Sequence, residues 1–252
     1  MRLRRAGAPQ GQASPVMGHS HALSGLAVGA ATLPWAPVTG AVPQVAWVAA
    51  VGGFAMLPDL DQAGSTVGRM WGPISDIPAG LVGRISRGHR WGTHDAVLGA
   101  GAFGLLAFLA ARASWSSLTL LAVAIGLALH ALNFVIPGRI ENTIIGNLVL
   151  SWGGAWLLME HVPGQLWLPY AVIVGCWTHI AGDLLTCEGV PVPLVWVVHR
   201  CRMKLSPLRT GTAVERLVLA PAFLLTALVF LYLNTGVKPA LDPLVQQVAH
   251  LG

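Results

Sequence analysis

Charge is what this sequence has least of. Only 10% of its 252 residues are charged, against about 25% in soluble domains, which argues against a soluble globular chain and for a lipid-embedded one. Cysteine is scarce as well. Cys176, Cys187 and Cys201 are an odd set with no C-x-x-C pair, so they imply no disulfide frame and exclude a C-x-x-C zinc or redox site. Internal repeats, heptads and a separate soluble domain are all missing. No clean small-residue cleavage site follows the basic start MRLRRAGAPQGQASPV. Residues 1–18 therefore read as a flexible basic leader rather than the front of a signal peptide, with Met17 as an alternative start.

What is there is apolar. Hydrophobic residues make up 54% of the chain and the mean hydropathy is +0.65. Apolar stretches recur at 22–33, 43–57, 95–111, 118–136, 143–160, 166–187 and 217–233. The first two are short for full spans and are split by LPWAP, so a hairpin that dips in or crosses tilted is expected. The others have transmembrane length. The expected fold is all-α: a polytopic transmembrane helical bundle with about 5–7 membrane segments. One membrane-embedded domain would cover 19–236, with a tail at 237–252. Gly25 and Gly29, four apart, suit close helix packing.

The basic residues set a topology. With the N-terminus cytoplasmic and one crossing per stretch, all 15 Lys and Arg except Arg112 and Lys238 lie on the inner side. That is the imbalance expected of short cytoplasmic loops. It accounts for the net charge of +5 without nucleic acid. It also lays the loop HRCRMKLSPLRTGTAVER against anionic headgroups. The ten tryptophans read as an interfacial belt.

Ionisable residues in membrane segments are costly and mark function. In this topology four distant segments bring theirs to one face. His21 opens the first stretch, and Asp59 and Asp61 close the second within MLPDLDQ. His89 and His94 open the third, and His179 and Asp183 close the sixth within WTHIAGDLLTCEG. His179, Asp183 and Thr186 are spaced to share one helical face. Imidazole nitrogens and carboxylate oxygens are the donors of zinc and other first-row divalent ions. His21, Asp59, Asp61, His89, His94, His179 and Asp183 are therefore the candidate ligands of one or more metals. Each also has a plainer reading, as a hydrogen-bonded helix end, an Asx turn or an interfacial polar group. Arg90, between the two histidines, suits an anionic substrate, phosphate above all, or is an inside-positive anchor. Glu215 is a candidate base, a partner of a ligand histidine, or an ion-pair mate of Arg209 or Arg216.

At this point the residues resemble a family, the YdjM-type inner-membrane proteins described as metal-dependent hydrolases. The matching pieces are HALSG at His21, LPDLD followed by STVGR, HRWGTH at 89–94, THIAGDLLTCEGVP at 178–191 and PLRTGTAVERL at 207–217. The resemblance implies a polytopic fold and metal-assisted hydrolysis. One departure stands out: TCEGVPVPLVWVV has altered spacing and no proline after Trp196. A looser likeness adds a substrate class. The order His, Asp, His, then H-x-x-x-D is similar to that of zinc-dependent phospholipases C and related single-strand nucleases.

The reading is thus an integral inner-membrane, multi-pass, metal-dependent hydrolase with its site facing the cytoplasm. His21, Asp59 or Asp61, His94, His179 and Asp183 would hold Zn²⁺ or a similar divalent ion. Asp61 or Glu215 would act as base, and Arg90 would bind an anionic, lipid-linked or phosphorylated substrate. A metal-ion transporter is the first alternative, though its ligands should recur near the midplane or in repeated halves. A non-catalytic scaffold that binds a regulator is the second.

Overall fold

The computed structural model describes residues 16–62, 67–137, 140–162, 164–206 and 212–235. Among them are eight α-helices: α1 Val16–Ala31, α2 Ala41–Phe54, α3 Pro73–Ile85, α4 Leu98–Ala110, α5 Ser114–Ala131, α6 Ile140–His161, α7 Leu168–Leu184 and α8 Ala220–Asn234. Short 3-10 turns at Pro58–Asp61 and Gly92–His94 join the helices, and a π-helical turn at Glu215–Leu219 leads into α8. One small antiparallel ribbon, β1 Val190–Pro191 with β2 Arg202–Met203, follows α7. The tail at 237–252 lies outside the described residues, as do the first fifteen residues of the leader. Helix α1 already begins at Val16.

Each of the seven apolar stretches carries a helix. Among the described residues three segments, Ala41–Asp61, Ser114–Ala131 and Glu215–Asn234, are both long and apolar enough to cross a membrane. Helices α1 and α7, with 16 and 17 residues, fall short of the roughly 20 that a straight crossing needs. α2 is the hub. It packs on α1, α5 and α7, and Val51 and Phe54 at its C-terminal end, with Met56 and Leu57 just beyond, are buried.

Small residues permit that packing. A Cβ at Gly25 would lie 2.7 Å from the Ala55 Cβ and 2.9 Å from the Gly52 Cα, so α1 and α2 touch backbone to backbone. Between membrane helices such contact replaces the missing hydrophobic drive. Polar staples add to it across α5 and α6. The Trp71 indole donates to Asn147 Oδ1 at 3.0 Å and to Ser151 Oγ at 3.2 Å, while Asn147 Nδ2 donates to the Gly126 carbonyl at 3.0 Å.

The element absent from the apolar stretches is α3. Its small residues Ser75 and Ala79 face inward, while Ile74, Ile77, Leu81 and Ile85 form an exposed stripe. Large aliphatics outward and charge at the flanks is the pattern of a helix lying in a membrane interface.

Gly25→Ala should cost about 1–3 kcal/mol by overpacking, read as a lower Tm in detergent. Gly101→Ala, where an added methyl meets nothing within 4 Å, should leave Tm unchanged or raise it slightly.

Candidate metal centre

The site is built where four elements end. His21 lies in the first turns of α1, and Asp59 and Asp61 lie on the 3-10 turn that closes the α2 segment. His94 ends the turn before α4, and His179 and Asp183 occupy the last turns of α7. The helices thus deliver imidazoles and carboxylates to one end of the bundle. His94, His179 and Asp183 have no solvent exposure.

Four donor atoms converge. His94 Nε2 lies 3.2 Å from His179 Nε2 and 3.3 Å from Asp183 Oδ2. Asp59 Oδ1 is 3.6 Å from each of those two nitrogens, and His179 Nε2 is 3.6 Å from Asp183 Oδ2. Ligand atoms bound tetrahedrally at about 2.0–2.2 Å stand about 3.3–3.6 Å apart. Four of the five distances fall in that range, and the His94–His179 separation of 3.2 Å lies just below it.

The ring orientations fit as well. His179 Nδ1–H donates to the Ala55 carbonyl at 2.7 Å, which leaves the Nε2 lone pair facing the centre. Thr93 Oγ1 donates to Asp61 Oδ2 at 2.6 Å and lies 3.0 Å from His94 Nδ1. With its own hydrogen committed to Asp61, the hydroxyl accepts from His94 Nδ1–H, so His94 too presents an Nε2 lone pair. Partners of this kind commonly orient ligand histidines. Burial alone would lower the His94 pKa, but Asp183, Asp59 and Asp61 outweigh it and hold the imidazole above its ordinary value. The pocket therefore favours positive charge there. Neither buried oxygen of Asp183 receives a hydrogen bond of good geometry, which also suits a cation as partner.

Among the described residues two groups could hold a metal ion: Asp59, His94 and His179, and His21, His179 and Asp183. They share His179, whose only available nitrogen is Nε2, so they cannot both be filled by separate ions. On the far side of Asp183, Oδ1 lies 3.4 Å from His21 Nε2 and 3.0 Å from Arg90 Nη2. The His21 and His179 rings stack at 3.8 Å.

The remaining candidates sit around this core. Asp61 is buried behind His94 and saturated: its oxygens take the Thr93 hydroxyl, the Arg90 N–H at 2.9 Å and the His89 ring at 2.7 Å. His89 lies outside both groups, partly exposed on Asp61's outer side. Arg90 is only 2% exposed. It holds a left-handed φ of 61°, uncommon for a non-glycine residue and most frequent at functional sites. Its Nη1 lies 3.3 Å from Thr186 Oγ1, and its buried Nε has no partner. Glu215 is buried in the π-helical turn and belongs to neither group. It shares a cavity wall with His21.

Sequence reasoning passed over Thr93 and gave Asp95 no role, yet Asp95 ties the site together. Its Oδ1 accepts from the Val97 and Leu98 N–H groups at 2.7 and 2.8 Å. Its Oδ2 accepts from Leu194 N–H at 2.8 Å and from the Trp196 indole at 2.7 Å. Burial pushes its pKa up, but the Leu194, Leu98 and Val97 amides and the indole outweigh that and hold it below the usual carboxylate value. The loop in which the sequence departs from the family it resembles is pinned to the start of α4 through this side chain. An aspartate directly after HRWGTH was the available signal.

Fold and cluster together define a helical membrane protein with a His/Asp pocket, able to hold a metal, at one end of its bundle. Residues 16–133 match the family model described as YdjM inner membrane protein. That span includes His21, Asp59, Asp61, His89, Arg90 and His94, and ends before α7. No curated protein matches the chain, and no solved structure does.

Asp95→Ala removes the acceptor of the buried Trp196 indole and of the Val97, Leu98 and Leu194 amides, a loss of about 1–3 kcal/mol for each donor left buried and unpaired. Thermal unfolding in detergent should show it as a clear drop in Tm, with Asp95→Asn falling between.

Proposed function

We propose that the protein is a membrane-embedded, metal-dependent hydrolase acting on a phosphoester or a similar lipid-like anionic substrate. The observation that carries the reading is the convergence of Asp59 Oδ1 and Asp183 Oδ2 on His94 Nε2 and His179 Nε2, with separations of 3.2 to 3.6 Å. Zn²⁺ suits that mixed nitrogen and oxygen set, at one ion per chain, because a single nitrogen serves both groups. The centre faces the cytoplasm in the orientation favoured by the basic residues. When bound, the ion supplies Lewis acidity, polarising the scissile group and lowering the pKa of a water toward about 7.

The chain's own side chains supply the rest. Asp61, through Thr93, fixes the His94 tautomer. Arg90 balances the charge of Asp183 at 3.0 Å and so sets the positive field that favours an anionic substrate. In the reaction a water oxygen bonds to phosphorus as the ester P–O bond breaks. Glu215, on the cavity wall beside His21, takes the water's proton and returns it to the departing alcohol oxygen.

Elemental analysis of detergent-purified protein should give one zinc per chain, lost in Asp183→Ala and in His94→Ala. Hydrolysis of phosphoester lipids should disappear with chelator and return with zinc. Unchanged zinc in both variants overturns the reading. Thr93→Val keeps the shape but breaks the relay to His94, and should weaken zinc binding about 10–100-fold with little change in Tm.

A further inference from the structure

Beside the centre lies a cavity of about 250 Å³ between α1, α7 and the π-helical entry to α8. Helices α7 and α8 both rest on α1 but scarcely meet each other, so one side of the cavity is a gap between two helices. Where it adjoins the centre its wall is polar: His21, Thr186 and Glu215. Elsewhere Leu185, Leu219 and Phe223 line it, together with Ser20, Ser24, Thr178 and Thr212. The Ser24 and Thr178 hydroxyls are turned onto their own helix backbones, and the surface facing the space is mostly apolar. The π-helical turn widens the backbone at this point, a distortion frequent at functional sites.

The surroundings of the gap tell which phase it opens to. Segment Glu215–Asn234 is the most apolar of the three long enough to cross a membrane, and it exposes Leu217, Leu224, Leu225 and Leu228. Across the gap Leu185, just after α7, is exposed too. A polar solute entering here would give up its water against walls offering few partners, whereas a hydrocarbon chain would give up nothing. The volume is below the roughly 300–1,000 Å³ that encloses a whole drug-sized ligand. It suits one part of an amphiphile whose remainder stays outside.

We propose that this cavity seats an acyl chain of a membrane phospholipid, which enters sideways between α7 and α8 and so brings its phosphate head to the His/Asp centre. The fate of the head rests on the hydrolase reading, while the seating of the chain rests on the cavity. His21 is the hinge between the two: its ring forms cavity wall, and its Nε2 lies 3.4 Å from Asp183 Oδ1.

The test uses the full chain in nanodiscs of phosphatidylethanolamine and phosphatidylglycerol, doped with phosphatidylglycerol that carries a diazirine on one acyl chain. After irradiation, peptide mapping should find label concentrated on 178–186 and 212–223. In Ala181→Trp that label should fall about tenfold, the occupancy lost when the indole displaces some two methylenes. Zinc content, read on the same samples, should stay at the wild-type value. Ala181→Leu gives a smaller fall and replaces the tryptophan variant if that one does not fold. Label spread evenly over lipid-facing helices, or label in both variants equal to wild type, overturns the proposal. Wild-type protein without zinc would sink the hydrolase reading and leave the labelling to decide the chain site by itself.

Discussion

Everything at the site turns on the Asp183 carboxylate. It is fully buried, carries negative charge, and neither oxygen is satisfied by a hydrogen bond of good geometry. An isolated buried charge of that kind is expensive, so positive charge must answer it on both sides. On one side Arg90 Nη2 approaches to 3.0 Å. On the other the two Nε2 atoms stand ready with Asp59, an arrangement that repels unless a proton or a metal lies among them. Arg90 thus acts as a permanent counter-ion on one oxygen, which leaves the second oxygen for an exchangeable cation.

The bundle is arranged to keep this cluster assembled. α2 touches α1 through glycine, holds His179 through the Ala55 carbonyl, and continues into the turn that bears Asp59 and Asp61. The segment is therefore at once the mechanical centre of the fold and the source of two carboxylates. Behind Asp61 the chain closes tightly: a Cβ at Gly83 of α3 would run into the Asp61 carbonyl. Helix α3 and the support of His94 are in direct contact.

How far this was readable from the sequence depended on the kind of signal. Long apolar runs located seven helices, because in a membrane chain composition alone marks them. α3 escaped because its aliphatic stripe faces outward, and Pro78 inside it argued against a helix. The grouping of His21, Asp59, His94, His179 and Asp183 was expected from their places at the ends of successive apolar stretches, and the helices do bring those ends to one side of the bundle. Asp59 and Asp61 could not be told apart by spacing. Two positions along a 3-10 turn point in different directions, so one faces the metal pocket and the other faces Thr93 and His89. Arg90's inward fold, and the pairing of Asp95 with Trp196 across 101 residues, are tertiary facts with no local trace.

The two imidazoles of the centre are held by unlike means. His179 leans on a main-chain oxygen at residue 55, and every amino acid possesses that atom. Evolution can exchange the side chain there freely among small residues without releasing the ring. His94 leans on a hydroxyl at residue 93, which very few replacements preserve. Drift should therefore erode this pocket unevenly, with one half tolerant of almost any neutral change and the other restricted to serine or threonine.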